Sequence, residues 1–299
     1  MSDIQAIDTM NRPMSARPEF SKKLFATQEF EIMADNTFGG VKARNNISDD
    51  ENWRIYEVLG AGSVEEMLEQ MDESGVEYTF MDQLIQWSRY EKKAVTVASI
   101  EELAEMRDEA DGRIKCGVGY NPHRISESLE RVERAIEDHD FTYIWFHPMT
   151  FEMKPTHQAC YPLYAKAVEL DVPVCYQTGQ SAERLTSEPG KPMYADEVAM
   201  DFPDLDLVLT HAGWPWYREW ISMLWRHPNV YGNVGAYYPS FFPEDIWEFV
   251  DSGRLRDSTM WATNGLGFER CKEEFLELGL REKTEQAVLR DNAVELFDL

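Results

Sequence analysis

Three of the six histidines stand directly after runs of branched or aromatic residues: His123 in Tyr120-Asn-Pro-His123, His147 after Tyr143-Ile-Trp-Phe146, and His211 after Leu207-Val-Leu-Thr210. An imidazole placed there can donate or take a proton near neutral pH, as hydrolysis or decarboxylation of a small molecule requires. Other polar groups close similar apolar runs: Asp35-Asn36-Thr37, Asp82-Gln83, Gln177-Thr178-Gly179, Gly235-Ala236-Tyr237 and Asn264-Gly265. A carboxylate such as Asp35 can act as a base or orient an imidazole, or it can simply close an Asx turn. The amides of Gln177 and Asn264 can hold a carboxylate or carbonyl, or only knit a network together. Trp214 and Tyr237, with Trp216 and Tyr238, can wall a ring-shaped ligand or pack as core. His147 precedes Pro148, which forces extended backbone and directs the imidazole outward. His139, His157 and His227 fall in helices or strand approaches, and His227 reads as a helix-end cap. Arg184 is a solvated loop arginine before it is a carboxylate clamp.

These groups need a frame that brings distant residues together. Eight β-rich segments can be counted: Phe30–Ala34, Val76–Met81, Ile114–Gly119, Phe141–His147, Val172–Gln177, Leu205–Thr210, Val230–Val234 and Thr259–Thr263. Most show little alternation, as strands covered on both faces do. Helical stretches separate them. Ser63 and Ser99 each have a Glu three residues on, the capping-box spacing, and Ser126 opens a third helix. Further helices fit 159–170, 194–201, 215–226, 243–251, 270–278 and 282–296. Eight strands alternating with helices over roughly 270 residues match a (β/α)₈ barrel (a TIM barrel), with a doubly wound sheet as runner-up. In a barrel the polar strand ends above would meet at one mouth. The first strand and its helix are separated by Phe38–Gly62, a length expected of a segment that covers a site. Residues 1–28 read as an N-terminal arm and 29–299 as a single barrel domain.

Composition bounds the rest. The 299 residues are 43 % hydrophobic, and 55 acidic against 29 basic residues give a net charge of −26. Such a surface repels the phosphates of DNA and RNA. The mean hydropathy of −0.49, with no apolar run near the roughly 18 residues of a membrane span, excludes a transmembrane segment. The first residues lack the charged and apolar regions of a secretory signal. Cys116, Cys160, Cys175 and Cys271 form no CxxC pair and read as reduced, buried thiols of a cytoplasmic protein. Acidic residues are spread along the chain and arginines (18) outnumber lysines (11), which suits a salt-rich cytoplasm or an ordinary acidic protein. No G-x-G-x-x-G follows a strand, so nucleotide binding finds no support.

Several ordered segments resemble a known family, the amidohydrolase-related (amidohydrolase 2) proteins, which include aminocarboxymuconate semialdehyde decarboxylase. They are Glu66–Val76, Tyr161–Ala167, Leu170–Gly179, Asp201–Gly213, His227–Tyr231 and Asp291–Phe297. The Phe202-Pro-Asp-Leu…Thr210-His-Ala-Gly213 stretch is the most specific. The resemblance implies a barrel hydrolase or non-oxidative decarboxylase, usually with one divalent metal. It also implies metal ligands: His-x-His after strand one, His after strands five and six, and Asp after strand eight. Carried over, these positions fall on Asp35 and Thr37, Gln177, His211 and Asn264. Only His211 keeps the family's residue type.

Thr, Gln and Asn offer neutral oxygens that hold zinc or manganese weakly, so the usual metal site is not expected. A rebuilt site from Asp35, His147 and His211 is the alternative. The reading is an enzyme acting on a small cyclic or aromatic carboxylated compound. His211 and Asp35 would handle protons, and His147, Gln177, Asn264, Trp214 and Tyr237 would bind substrate. No cofactor is required, although a divalent metal remains compatible, and the many aromatics are compatible with a homo-oligomer. A catalytically inactive barrel that binds a ligand or partner is the main alternative; a redox metal centre is the lesser one.

Overall fold

The computed structural model describes residues 4–299. Its eight parallel strands are β1 (Ala6–Asn11), β2 (Val76–Asp82), β3 (Ile114–Gly119), β4 (Tyr143–Phe146), β5 (Val174–Tyr176), β6 (Leu207–Leu209), β7 (Val230–Asn233) and β8 (Thr259–Met260), paired in chain order. The ring is joined at its ends by backbone bonds between β1 and the β8 extension. Thr9 N–H donates to Trp261 O (3.1 Å) and Asn264 N–H to Met10 O (2.7 Å). Every residue of β3 to β6 except Lys115 is buried, as strands between a filled interior and an outer helix layer must be. The chain is therefore a (β/α)₈ barrel. No helix of the described residues is long and apolar enough to cross a membrane.

The helix-start signals act locally as their chemistry dictates. Ser63 Oγ accepts from Glu66 N–H, and Ser99 with Glu102 forms a full capping box. Ser126 does not open its helix: Ile125–His139 starts one residue earlier.

The first strand is where the sequence expectation fails. Phe30–Ala34 is helical, inside Gln28–Asn36. It buries Phe30, Met33 and Ala34, spaced as one helix face, together with Glu29. The true β1 lies in the stretch expected to be an arm, of which residues 1–3 are outside the described residues. Its side chains include Asp8, Thr9 and Asn11, all buried, so it carries no apolar signature.

The covering segment is consequently longer than Phe38–Gly62. It runs from residue 12 to 62 and contains four short helices, Lys22–Phe25, Gln28–Asn36, Gly39–Asn45 and Ile55–Leu59. A two-stranded hairpin, Ile85–Ser88 with Lys93–Thr96, lies beside it. The buried Glu29 carboxylate accepts from Ser88 Oγ (3.1 Å) and Tyr90 N–H (3.3 Å), which fixes the segment to that hairpin.

Candidate active site

The strand ends converge on one cavity of about 190 Å³. His147, Gln177, His211, Trp214, Tyr237 and Asn264 all line it, and Arg12, from the end of β1, joins them. Asp35 does not. It sits on a helix with its side chain 57 % exposed and paired to Lys42 Nζ at 2.6 Å. The placement follows from the strand-one correction, and neither a base at Asp35 nor a metal set containing it has a geometric basis. His123 is also outside the cavity, its ring 4.5 Å from Trp87, and Arg184 lies over the Tyr90 ring. His227 bonds Asp196 at 2.7 Å beyond a helix end.

Arg12 is the centre of the floor. Its Nη1 donates to Asp82 Oδ2 (2.8 Å), its Nε to Asn264 Oδ1 (2.8 Å) and its Nη2 to Gln177 Oε1 (3.2 Å). The guanidinium also lies 4.9 Å from the Trp145 ring centre, a cation–π distance. A guanidinium only donates, so both amides must turn their oxygens to it. Burial pushes Asp82 up to about 6, against the pull of Arg12, and its Oδ1 has no partner among the described residues.

Beneath the floor is a polar layer. Asp8 accepts from Thr263 N–H (2.7 Å), Thr263 Oγ1 (2.8 Å), Thr79 Oγ1 (3.0 Å) and Met10 N–H (3.3 Å). Burial nevertheless pushes it up to about 7. These bonds fix the turn that presents Asn264. Asn233 Oδ1 accepts the His211 backbone N–H (3.2 Å), tying β7 to the imidazole that follows β6.

Both imidazoles are buried and held uncharged. Burial, with Arg12 nearby, lowers His147 to about 4, while Glu183 opposes the shift. Burial takes His211 well below its ordinary value, with Arg12 and then His147 adding to it. The Thr150 N–H points to His147 Nδ1 (3.4 Å), so in the neutral ring the proton is on Nε2, which lies 3.9 Å from Glu183 Oε1. His211 Nδ1 has no hydrogen-bond partner among the described residues.

Backbone strain is concentrated at the same mouth. His211 (φ 60°), Ala212 (47°), Ala236 (70°) and Asn264 (56°) all adopt left-handed conformations where β6, β7 and β8 end. Such residues cost of order 1–3 kcal/mol each and cluster where a side chain must be aimed. Gly179 (φ 91°) closes β5, and a Cβ there would meet the Trp214 carbonyl.

The rest of the wall comes from the covering segment: Leu24, Phe30, Met33, Phe38, Tyr56 and Leu59. Trp214 stacks on Tyr217 and meets Tyr237 edge-on (centroids 6.3 Å), and Gln180 Nε2 donates to the Tyr237 hydroxyl (3.3 Å). The sequence reasoning did not single out Arg12, Asp82 or Glu183 as site residues. Asp82 closes an apolar run in the sequence, and Glu183 directly precedes Arg184. Arg12 was hidden with its strand, although Pro13 after Thr-Met-Asn-Arg marks a strand end.

These residues do not fit a divalent metal. The oxygens of Gln177 and Asn264 are engaged by N–H donors, and a fixed positive charge stands among them. Among the described residues no group of three or more His, Cys, Asp and Glu could hold an ion.

Comparison with known proteins agrees with this architecture. The uncharacterised TIM-barrel protein Bb4693 of Bordetella bronchiseptica superposes over 98 % of both chains, with a TM-score of 0.73 and 22 % identity. The 5-carboxyvanillate decarboxylase LigW of Sphingomonas paucimobilis covers 99 % of both, with a TM-score of 0.69 and 13 % identity. At these identities the likeness is one of fold. Protein fluG of Emericella nidulans is 28 % identical over 109 residues, which are 34 % of this chain and only 12 % of that protein. The sequence model of the amidohydrolase family matches residues 49–299, beginning after β1, and the chain belongs to that family.

Proposed function

We propose that the chain is an enzyme that hydrolyses or decarboxylates a small cyclic or aromatic carboxylated compound without a divalent metal. The observation that carries the reading is one cavity with a cationic, hydrogen-bonding floor and an apolar roof. Its 190 Å³ lies below the roughly 300–1,000 Å³ of drug-sized sites, which favours a small substrate. LigW, by name, decarboxylates a carboxylated aromatic, a substrate of the same class.

The chemistry follows from the charges. An uncharged buried imidazole is a weak base while the site is empty. An anionic substrate beside it stabilises the imidazolium and raises its pKa, so binding itself prepares His211 to take a proton. In hydrolysis the imidazole takes the proton of an attacking water, and the oxygen charge that develops on the carbonyl meets N–H donors of the floor. In decarboxylation an imidazolium gives its proton to the ring carbon as the bond to the departing CO₂ breaks. His147, with its proton on Nε2 facing Glu183, is the second group able to move a proton in the cavity.

The test is a screen of lactones and aromatic acids with metal-depleted protein, followed by His211→Ala. Turnover that persists in chelator and is lost in the variant supports the reading. Turnover that needs added metal, or that the variant keeps, contradicts it. Saturable binding of such acids with no turnover would favour the inactive, ligand-binding barrel.

A further inference from the structure

We propose that Arg12 is a built-in cation that receives the carboxylate of a monocarboxylate ligand, in the position where a bound metal would otherwise be needed. This rests on the preceding reading that the barrel-mouth cavity is the site, and it names the group that recognises the substrate.

The argument counts donors. A guanidinium has five N–H groups, and Arg12 uses three of them on Asp82, Gln177 and Asn264. Two remain, one on each Nη, without a partner among the described residues. Because Arg12 draws in the oxygens of Gln177 and Asn264, the NH₂ groups of these two cavity-lining amides have no protein acceptor among the described residues either. Neutral His147 adds an Nε2–H. The cavity thus presents several unused donors, with Gln86 Oε1 an unpartnered acceptor beside them, and a group with two acceptor oxygens, such as a carboxylate, satisfies those donors. The five held or stacked contacts of Arg12, counting Trp145 and its own backbone N–H to Asn11 Oδ1 (2.8 Å), fix the charge before any ligand arrives.

Opposing this charge are Asp82, already paired to Arg12, and Glu183, whose side chain is 13 % exposed and lies against His147. Glu183 sets a carboxylate against the cavity wall beside His147, so a second carboxylate is repelled there. A ligand with one carboxylate and an apolar body remains.

Benzoate is the probe, with benzamide as its uncharged counterpart, titrated calorimetrically into metal-depleted protein in chelator. Benzoate should bind saturably and benzamide at least roughly tenfold more weakly. Arg12→Met removes the charge but strands Asp82, so Arg12→Met/Asp82→Asn is measured beside it to keep the floor neutral. In whichever of the two folds, benzoate affinity should fall roughly 100-fold. Benzoate binding undiminished in a folded Arg12 variant overturns the inference while leaving the enzymatic reading intact. Binding that appears only after a divalent metal is added overturns the inference and the metal-free enzymatic reading together. No binding under either condition overturns the inference alone, and turnover in the substrate screen then decides the wider reading separately.

Discussion

Arg12 Nη1 lies 2.8 Å from Asp82 Oδ2, joining the end of β1 to the end of β2 across 70 residues of sequence. Both side chains are at least nine-tenths buried, so neither charge is tolerable without the other. The pair aims the guanidinium and does not merely add stability. Asp82→Asn should therefore destabilise the protein by about 3–5 kcal/mol by urea denaturation, because it leaves Arg12 buried without its counter-charge. The double change Arg12→Met/Asp82→Asn should cost clearly less than the sum of Arg12→Met and Asp82→Asn measured singly. Additive losses would mean that the two side chains do not depend on one another.

Both buried imidazoles take up a proton when the chain unfolds in acid. His147 is lowered to about 4 in the folded protein against an ordinary 6.5. The unfolded chain therefore binds the proton more readily through that window, and stability is lost as pH falls from about 6.5 to about 4. Asp8 and Asp82, both raised, act with the opposite sign. The wild-type curve thus mixes the two effects, and a variant separates them. His147→Gln, which can still accept from Thr150 N–H, should gain on the wild type by up to about 3 kcal/mol between pH 7 and 4. A pH-independent difference would show that His147 titrates normally.

His211 is the proton carrier in the proposed reaction. His211→Asn should lower kcat by roughly 10²–10⁴-fold and change benzoate affinity only a few-fold. An equal loss in binding and turnover would make it a binding group only.

The roof depends on Glu29. Removing its carboxylate leaves Ser88 Oγ and Tyr90 N–H without their buried acceptor, at a cost of about 1–3 kcal/mol. Glu29→Ala should speed proteolysis within residues 12–62, and Glu29→Gln, which keeps an accepting oxygen, should do so far less. Equal rates in all three proteins would show that the contact does not hold the segment down.

How much of this was legible in the sequence depended on what each strand buries. From β2 to β8 the strands fill the interior with apolar side chains, so their runs and polar ends could be read directly, and His147, Gln177, His211 and Asn264 do meet in one cavity. β1 buries Asp8, Thr9 and Asn11 in the layer that supports the floor, so the strand closest to the chemistry had the least strand-like composition. The Phe30–Ala34 run looked like its replacement because a short apolar cluster fits either period. Its real role is to roof the same cavity, which is why Asp35 was drawn into the site while Arg12 was passed over. Of the positions carried over from the family's ligand pattern, Gln177, His211 and Asn264 line the cavity, while Asp35 lies on the helix that roofs it. The guanidinium at the centre of the floor comes from the displaced strand and is held by a contact spanning 252 residues, from Arg12 to Asn264, which no local pattern encodes.

A crystal structure with benzoate, with diffraction recorded across the zinc and manganese absorption edges, bears most directly on the central claim. The account predicts both carboxylate oxygens within hydrogen-bond distance of the Arg12 guanidinium, the ring under Phe30 and Met33, and no anomalous peak. An anomalous peak among Gln177, His211 and Asn264, with Arg12 turned away and the carboxylate on the ion, would contradict it.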